Sequence, residues 1–422
     1  MKNFFDEGFA SMKYILVIGD GMADYPVNMY GGKTPLEVAD HPWMDKIASA
    51  GICGTIQTIP KGMDTGSDVA ILSILGYNPK KYHSGRGPLE AVGVGIKFKT
   101  NDIAFRCNLI TEENGFLKDY SAGHIETKEA EKLINFLNNK FGKKDEIFFY
   151  KGVGYRHILI LTGKKFSEKV VCTPPHDAVG KKISEILIKP ASKSAVKTAE
   201  FLNRLMFESK NFLSNHPINL RRIAEGKNPA NMVWFWSPGK KPRIPSFKSR
   251  FGVKGAVISA VNIVKGIGAC LGFKIVKVPG ITGYFDTNYE GKADYTLKTL
   301  KTHDFVLVHV EAPDEAGHLG DFKLKVKTIE DLDKRLVGRI MKNLKEDYTI
   351  AVLADHATPI QTKTHTRDPV PFAVYSTLIR KKDYSKKHFS EEEAKKSGTN
   401  LQGTRFMSMF LKLGKHGKWG RL

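Results

Sequence analysis

Paired cysteines, long apolar runs and a leader-like start are all missing from this sequence, and each absence narrows what the chain can be. Cys53, Cys107, Cys172 and Cys270 lie far apart, with no C-x-x-C pair of the kind that marks a zinc ribbon or redox couple. Free thiols in a reducing cytoplasm are therefore expected. The strand-like apolar stretches at 14–18, 157–161 and 305–310 fall far short of the about 18–20 residues a membrane-spanning helix needs, so no membrane role of that kind is expected. The opening MKNFFDEGFASM carries two acids and no sustained apolar centre, unlike a signal peptide. Residues 1–12 read as an extension ahead of a second candidate start at Met12. There is no internal repeat and no low-complexity tract.

Acidic residues are in the minority: 44 Asp and Glu against 66 Lys and Arg give a formal charge of +22. Such an excess raises nucleic-acid binding, because basic surfaces release counterions from phosphate backbones. The bases are scattered, however, in short groups at 143–144, 181–182, 240–243, 380–382 and 412–421, without a nucleic-acid motif. A Lys-rich solvated surface that draws small anions into a cleft is the expectation. The 422 residues, 41% of them hydrophobic, supply cores for two or three domains and exclude a disordered chain.

KYILVIG at 13–19 reads as a buried strand ending at Asp20, followed by helical sequence over 35–50. FVLVHV ends before the acidic cluster 311–315, and YTIAVLA ends at Asp355. Three buried strands each running into carboxylates imply an α/β fold with a mostly parallel sheet between helices, and one crevice outside the carboxyl ends of the strands. Residues 101–220 differ: strand-like pieces (102–110, 157–161) alternate with helices (128–141, 195–213) and no strand ends in an acid. They read as an inserted smaller α/β domain between core segments 13–100 and 221–414, with 237–246 as return linker. At the far end, 415–422 (KHGKWGRL) reads as a disordered end or an anchoring arm.

The residues with most chemical content are Asp20, Asp314 with His318, Asp355 with His356, and His365. Singly, each fits a structural role. Together they mix carboxylate and imidazole donors suited to Mn2+, Zn2+ or Mg2+, and in PDEAGH the four-residue spacing puts Asp314 and His318 on one helical face. Ser67, in DTGSDVAILSILGY, lies on a Gly-containing turn before an apolar helix. Asp64, Thr65, Ser67 and Asp68 can all cap that helix. Beside two metal ions Ser67 becomes a nucleophile candidate, with Thr65 second.

DGMAD, DTGSDVAILSILGY, SGRGPLEAVGVGI, FGVKGAVISAV, TGYFDTNYEGK, HVEAPDEAGH, and ADHATP followed by THTRDPVPF together resemble the archaeal-type cofactor-independent phosphoglycerate mutases of the alkaline phosphatase superfamily, from about residue 13 to about 414. The resemblance implies an alkaline-phosphatase-like core, an insert that closes over a small phosphorylated carboxylate, and two Mn2+-class ions (Zn2+, Co2+ or Mg2+ as alternatives), without 2,3-bisphosphoglycerate. Carried over by motif, Asp20, Ser67, Asp355 and His356 would hold one ion and Asp314, His318 and His365 the other. Ser67 matches the nucleophile that forms a phosphoserine. Lys254 matches a lysine that stabilises the transferring phosphoryl group, with an exposed helix-start lysine as the plain alternative, and His124 matches a phosphate-contacting or proton-transferring histidine. Arg86, Arg106 and Arg156 are the expected holders of the substrate's carboxylate and phosphate, because guanidinium groups grip such anions with two parallel hydrogen bonds.

Other readings compete. ILVIGDGMAD opens like a dinucleotide-binding unit, but Asp24 stands at the third glycine position and Asp20 where a pyrophosphate would sit. GIGACLG at 266–272 has no evident buried strand before it and reads as a packed helix. NMVWFWSPGKKPRIPSF departs from the arginine-containing segment of many archaeal members and is more like a bacterial branch proposed to phosphorylate homoserine, so the acceptor stays open between the two. A metal-dependent phosphatase or phosphonate hydrolase is a third reading. A non-enzymatic nucleic-acid-binding role is remote. Oligomeric state is not legible.

Overall fold

The computed structural model describes residues 12–143, 146–379 and 387–419. They form two compact units, one running up to His83 and resuming at Ile244, the other Ser84–Arg243.

The first unit is built on an eight-stranded sheet. Its spatial order is Lys274–Ile275, Gly255–Ile258, Phe305–Val310, Lys13–Gly19, Tyr348–Leu353, Val370–Ser376, Ile52–Gln57 and Asn400–Gln402. The first five are parallel, Val370–Ser376 runs antiparallel to both neighbours, and the last two are parallel. Unbroken apolar runs suit strands covered on both faces, and every residue of Phe305–Val310 and Tyr348–Leu353 is buried. Register then places the chemistry. Gly19 pairs with Val310 and Ile18 with Leu353, so Asp20, Glu311 and Asp355 leave the sheet along one edge.

The expected 35–50 helix is two helices, Pro35–Val38 and Pro42–Ala50. Pro42 disfavours helical backbone at the residue before it, and His41 adopts φ −130°, ψ 64°. GIGACLG does lie on a helix, Asn262–Cys270, but a buried strand precedes it: Gly255–Ile258, only four residues long. Of the terminal extensions, 1–11 and 420–422 lie outside the described residues. The last helix, Gly403–His416, runs into the second extension, and Trp419 stacks on Phe372 with centroids 5.9 Å apart. That end is packed as far as Trp419.

In the second unit the strand Ile103–Glu113 is central. It pairs antiparallel with Arg156–Leu161, Phe116–Asp119 and Met232–Lys240, and Ile147–Val153 extends the sheet beyond Arg156–Leu161. Alternation sends Ile103, Phe105, Cys107 and Leu109 into the main core, which includes residues of the Thr127–Phe141 and Val196–Leu213 helices, while Ala104 joins Ala91, Ile158 and Ile160 in a separate cluster. The helix Arg86–Gly93 and the strand Met232–Lys240 pack in this unit, although 13–100 and 221–414 read from sequence as core. Met232–Lys240 follows 101–220 in the chain but is the ladder partner of the unit's first strand.

Candidate functional site

Ser67 opens the Ser67–Ile74 helix, all eight of whose residues are buried. The N-cap position is Gly66, and no side chain caps the helix. Freed from capping, Ser67 Oγ lies 3.2 Å from His356 Nε2 and 3.4 and 3.5 Å from the two oxygens of Asp20. Thr65 meets this cluster through its backbone, its carbonyl oxygen being 3.5 Å from His365 Nδ1.

The shared strand register brings the other donors to the same edge. His356 Nε2 is 3.3 Å from Asp20 Oδ1, and Asp355 Oδ1 accepts from the Gly21 and His356 amides at 3.2 and 2.9 Å. Asp314 Oδ2 lies 3.2 Å from His318 Nε2, and its Oδ1 lies 3.5 Å from His365 Nε2. The four-residue spacing does put Asp314 and His318 on one face of the Ala312–Leu319 helix. His365 stacks on His356 at 4.0 Å between ring centroids. All seven residues expected to hold metal thus gather in one place.

Two partners in this place were not singled out from sequence. His309 Nε2 is 3.0 Å from Asp20 Oδ2, and Glu311 lies beside Asp20 and Asp314 with a carboxylate oxygen close to theirs. Both belong to HVEAPDEAGH, and a histidine inside an otherwise apolar strand was the available signal.

The residues fit divalent ions. Burial and the charges of Asp355 and Asp314 push the Asp20 carboxyl well up, and burial together with Asp20 does the same to Glu311. Burial also works upward on Asp314, but hydrogen bonds from His318 and His365 hold it well below the usual carboxylate range. Asp355 Oδ2 is buried with no hydrogen-bond partner. His318 donates Nδ1–H to the Lys363 carbonyl at 2.9 Å, and its Nε2, 3.2 Å from Asp314 Oδ2 and 3.1 Å from His365 Nε2, is the nitrogen left to give up its proton to a cation. Crowded acids with an orphaned oxygen and imidazole nitrogens gathered around them are satisfied by bound cations.

A buried ion pair braces the two loops that carry these groups. Lys325 Nζ donates to Asp24 Oδ2 at 2.7 Å, to the Thr358 carbonyl at 2.9 Å and to the Ala23 carbonyl at 3.2 Å. Both side chains are fully buried. Asp24 also accepts from the Ile360 amide at 3.2 Å, which ties the segment after Asp20 to the segment after His356.

Lys254 is placed elsewhere. It precedes the Gly255–Ile258 strand, whose first residue pairs with Phe305, and its amide donates to Asp304 Oδ2 at 2.9 Å. That is the amino edge of the sheet, about six residues or roughly 20 Å of strand from the acids. Buried Lys292 donates Nζ to the His309 carbonyl at 2.8 Å, near the carboxyl edge, and Lys265 also follows the carboxyl end of its strand, on the Asn262–Cys270 helix that packs against the helix opened by Ser67. Lys265 is half-buried, and burial pushes its ammonium down.

The second unit gathers cations. Arg106 Nε pairs with Glu90 Oε2 at 3.1 Å, and the guanidinium lies 4.0 Å from the ring centre of Trp236. Burial pushes Arg106 down to about 10, with the positive charges of Arg86 and Arg156 adding to the effect. The same three arginines help burial lower His176, so Arg86, Arg106 and Arg156 do converge, with His176 as a neighbour not foreseen. Arg156 donates to the Tyr155 hydroxyl at 2.9 Å, and the exposed His124 ring lies 6.2 Å from that of Tyr155. His124 itself sits at φ 48° in the loop after Phe116–Asp119, its amide donating to Ser121 Oγ.

The chain is similar over most of its length to known sequences and structures. The profile of 2,3-bisphosphoglycerate-independent phosphoglycerate mutase matches residues 48–219, and that of type I phosphodiesterase / nucleotide pyrophosphatase matches 190–396. A 2,3-bisphosphoglycerate-independent phosphoglycerate mutase from Methanosarcina barkeri is 52% identical over 92% of this chain and 96% of its own. One from Methanocaldococcus jannaschii is 39% identical over 97% and 99%. Among solved structures, a protein of Pyrococcus horikoshii superposes with TM-score 0.81 at 32% identity, covering 98% of this chain and 99% of its own. A cofactor-independent phosphoglycerate mutase from Thermoplasma acidophilum gives 0.67 at 29%, covering 96% and 100%. With identity of this order across nearly the whole of both chains, the protein belongs to the 2,3-bisphosphoglycerate-independent phosphoglycerate mutase family.

Proposed function

We propose that the chain interconverts 3-phosphoglycerate and 2-phosphoglycerate in the cytoplasm without 2,3-bisphosphoglycerate, Ser67 carrying the phosphoryl group between the two hydroxyls. The observation that carries this reading is the Ser67 hydroxyl itself, buried, not engaged in capping, and within 3.5 Å of both Asp20 and His356. Asp20, Ser67, Asp355 and His356 would hold one divalent ion and Asp314, His318 and His365 a second, Mn2+ being favoured and Zn2+, Co2+ or Mg2+ compatible with the donors. Such ions make the serine hydroxyl acidic and neutralise phosphoryl charge.

Ser67 Oγ gives up its proton and bonds to phosphorus as the bond to the glycerate 3-oxygen breaks, and that oxygen takes the proton. The glycerate 2-hydroxyl then loses its proton as it attacks the phosphoserine, and Ser67 is restored. Amide N–H groups in the first turn of the Ser67 helix favour the incoming anion. Arg86, Arg106 and Arg156 are the proposed holders of the substrate's carboxylate and phosphate, and His124 the proposed carrier of the hydroxyl protons. Lys265 takes the role first considered for Lys254, steadying charge on the transferring group.

The test is conversion of 3-phosphoglycerate to 2-phosphoglycerate by Mn2+-loaded protein without 2,3-bisphosphoglycerate. Turnover that Ser67→Ala abolishes is expected. No turnover by folded, metal-loaded protein would overturn the mutase reading and redirect assays to ATP-dependent homoserine phosphorylation, then to phosphatase substrates.

A further inference from the structure

We propose that His41, Asp45 and His388 form a third divalent-cation site, of the zinc class, separate from the Ser67 site. His41 immediately precedes the Pro42–Ala50 helix, Asp45 lies one turn into it, and His388 arrives from the segment before the Glu391–Lys396 helix. The two imidazole rings stack with centroids 4.4 Å apart. His41 Nδ1 is 2.9 Å from Asp45 Oδ1 and His388 Nδ1 is 3.1 Å from Asp45 Oδ2.

The outward nitrogens decide what the inward ones can be. His41 Nε2 lies 2.8 Å from the Leu36 carbonyl oxygen and His388 Nε2 lies 3.2 Å from that of Glu37. A carbonyl only accepts, so both Nε2 atoms carry hydrogen. Flipping either ring would lay carbon against both of its partners. In their neutral forms both rings therefore direct Nδ1 lone pairs at the same carboxylate, an arrangement that is repulsive until a cation enters. Protonating one ring settles only one of the two contacts, and protonating both stacks like charges face to face. A metal ion relieves both contacts without that cost, and histidines whose far nitrogen donates to a backbone carbonyl are the usual metal-binding kind.

The inner geometry is independent support. His41 is 1% exposed, and its Nδ1 is buried yet makes no hydrogen bond despite the nearby Asp45 oxygen. Two imidazole nitrogens and one carboxylate suit Zn2+ better than Mg2+ or Ca2+, with a further position left for water.

The ion would pin residues 387–389 against the Pro42–Ala50 helix. Protein contacts already mark that seam: the Phe389 amide donates to Asp45 Oδ1 at 2.7 Å, and the Lys387 amide donates to Ser49 Oγ at 2.8 Å. The site is structural in kind and independent of which reaction Ser67 performs.

Chelator-treated full-length protein, dialysed at equal free Zn2+ and assayed for bound metal, tests the proposal. Wild type is expected to bind one ion per chain more than His388→Ala, whose half-exposed side chain can be removed without opening the core, and zinc is expected to raise the melting temperature of the wild type more than that of the variant. His41→Gln should lose the same single ion. A cooperative melt of each variant establishes that it is folded. Equal zinc counts in wild type and folded His388→Ala would overturn the third site and leave a protonated His–Asp–His cluster.

Discussion

The acid cluster of the first unit and the arginine cluster of the second are built under opposite sheet geometries. In the first, parallel strands deliver Asp20, Glu311 and Asp355 from distant parts of the chain to one edge, where each follows a buried run. In the second, an antiparallel strand carries Arg106 within its length, held by Glu90 and Trp236, with Arg86 and Arg156 close by. A parallel sheet concentrates groups at strand ends, and register alone aligns them. An antiparallel sheet presents groups from its face, so each charge needs its own local support. In the proposed function, cation binding and anion binding accordingly fall to different units.

The comparison can be broken first at the brace of the first unit. Lys325→Met leaves Asp24 buried without its partner and is expected to cost about 3–5 kcal/mol, read from urea unfolding. An unchanged midpoint would mean that the loops bearing the acids are held by other means. Next comes the anion side. Arg156→Ala should raise KM for phosphoglycerate about 10–100-fold, the worth of a charged hydrogen-bond pair, with metal content unchanged. A loss of metal instead would dissolve the division between units.

A pH experiment sharpens the contrast further. Burial pushes His157 of the second unit down to about 3. Its Nδ1 accepts from the Gly152 amide at 3.0 Å, and Nε2 is buried without a partner. An unfolded histidine titrates near 6.5, so below that pH the unfolded state binds the proton that the folded state refuses. Stability from this group is complete above about 6.5 and is lost as pH falls toward 3. The stability gap between wild type and His157→Asn should therefore narrow by about 2 kcal/mol from pH 7 to pH 5, measured by urea unfolding at both. The smallest effect is expected at the amino edge of the sheet. Lys254→Ala should leave turnover unchanged and stability within about 0.5 kcal/mol, whereas Lys265→Ala should lower turnover.

Much of the cation side was legible in the sequence because Asp20, Glu311 and Asp355 come just after apolar runs that read as buried parallel strands, and because Ser67 sits between a glycine turn and an apolar helix. Lys254 was misplaced because its role was carried over by motif resemblance alone, and Gly255–Ile258 is too short to show as the strand that puts it at the amino edge. His309 escaped notice inside a strand whose other residues are apolar, and Glu311 was overshadowed by the Asp314–His318 spacing. The anion side was harder. Arginines are plentiful in a basic chain, and the closeness of Arg86 to Arg106 and of both to His176 comes from strand pairing and helix packing that no local pattern encodes. The same holds for Met232–Lys240, which joins the second unit by pairing with a strand more than a hundred residues earlier.

The central claim is that Ser67 carries the phosphoryl group, and rapid acid quench of Mn2+-loaded protein mixed with 3-phosphoglycerate, followed by peptide mass spectrometry, tests it most directly. Phosphate on Ser67, absent from protein incubated without substrate, is the expected result. Efficient turnover with Ser67 unmodified and phosphate on another residue, or turnover surviving in Ser67→Ala, would contradict it.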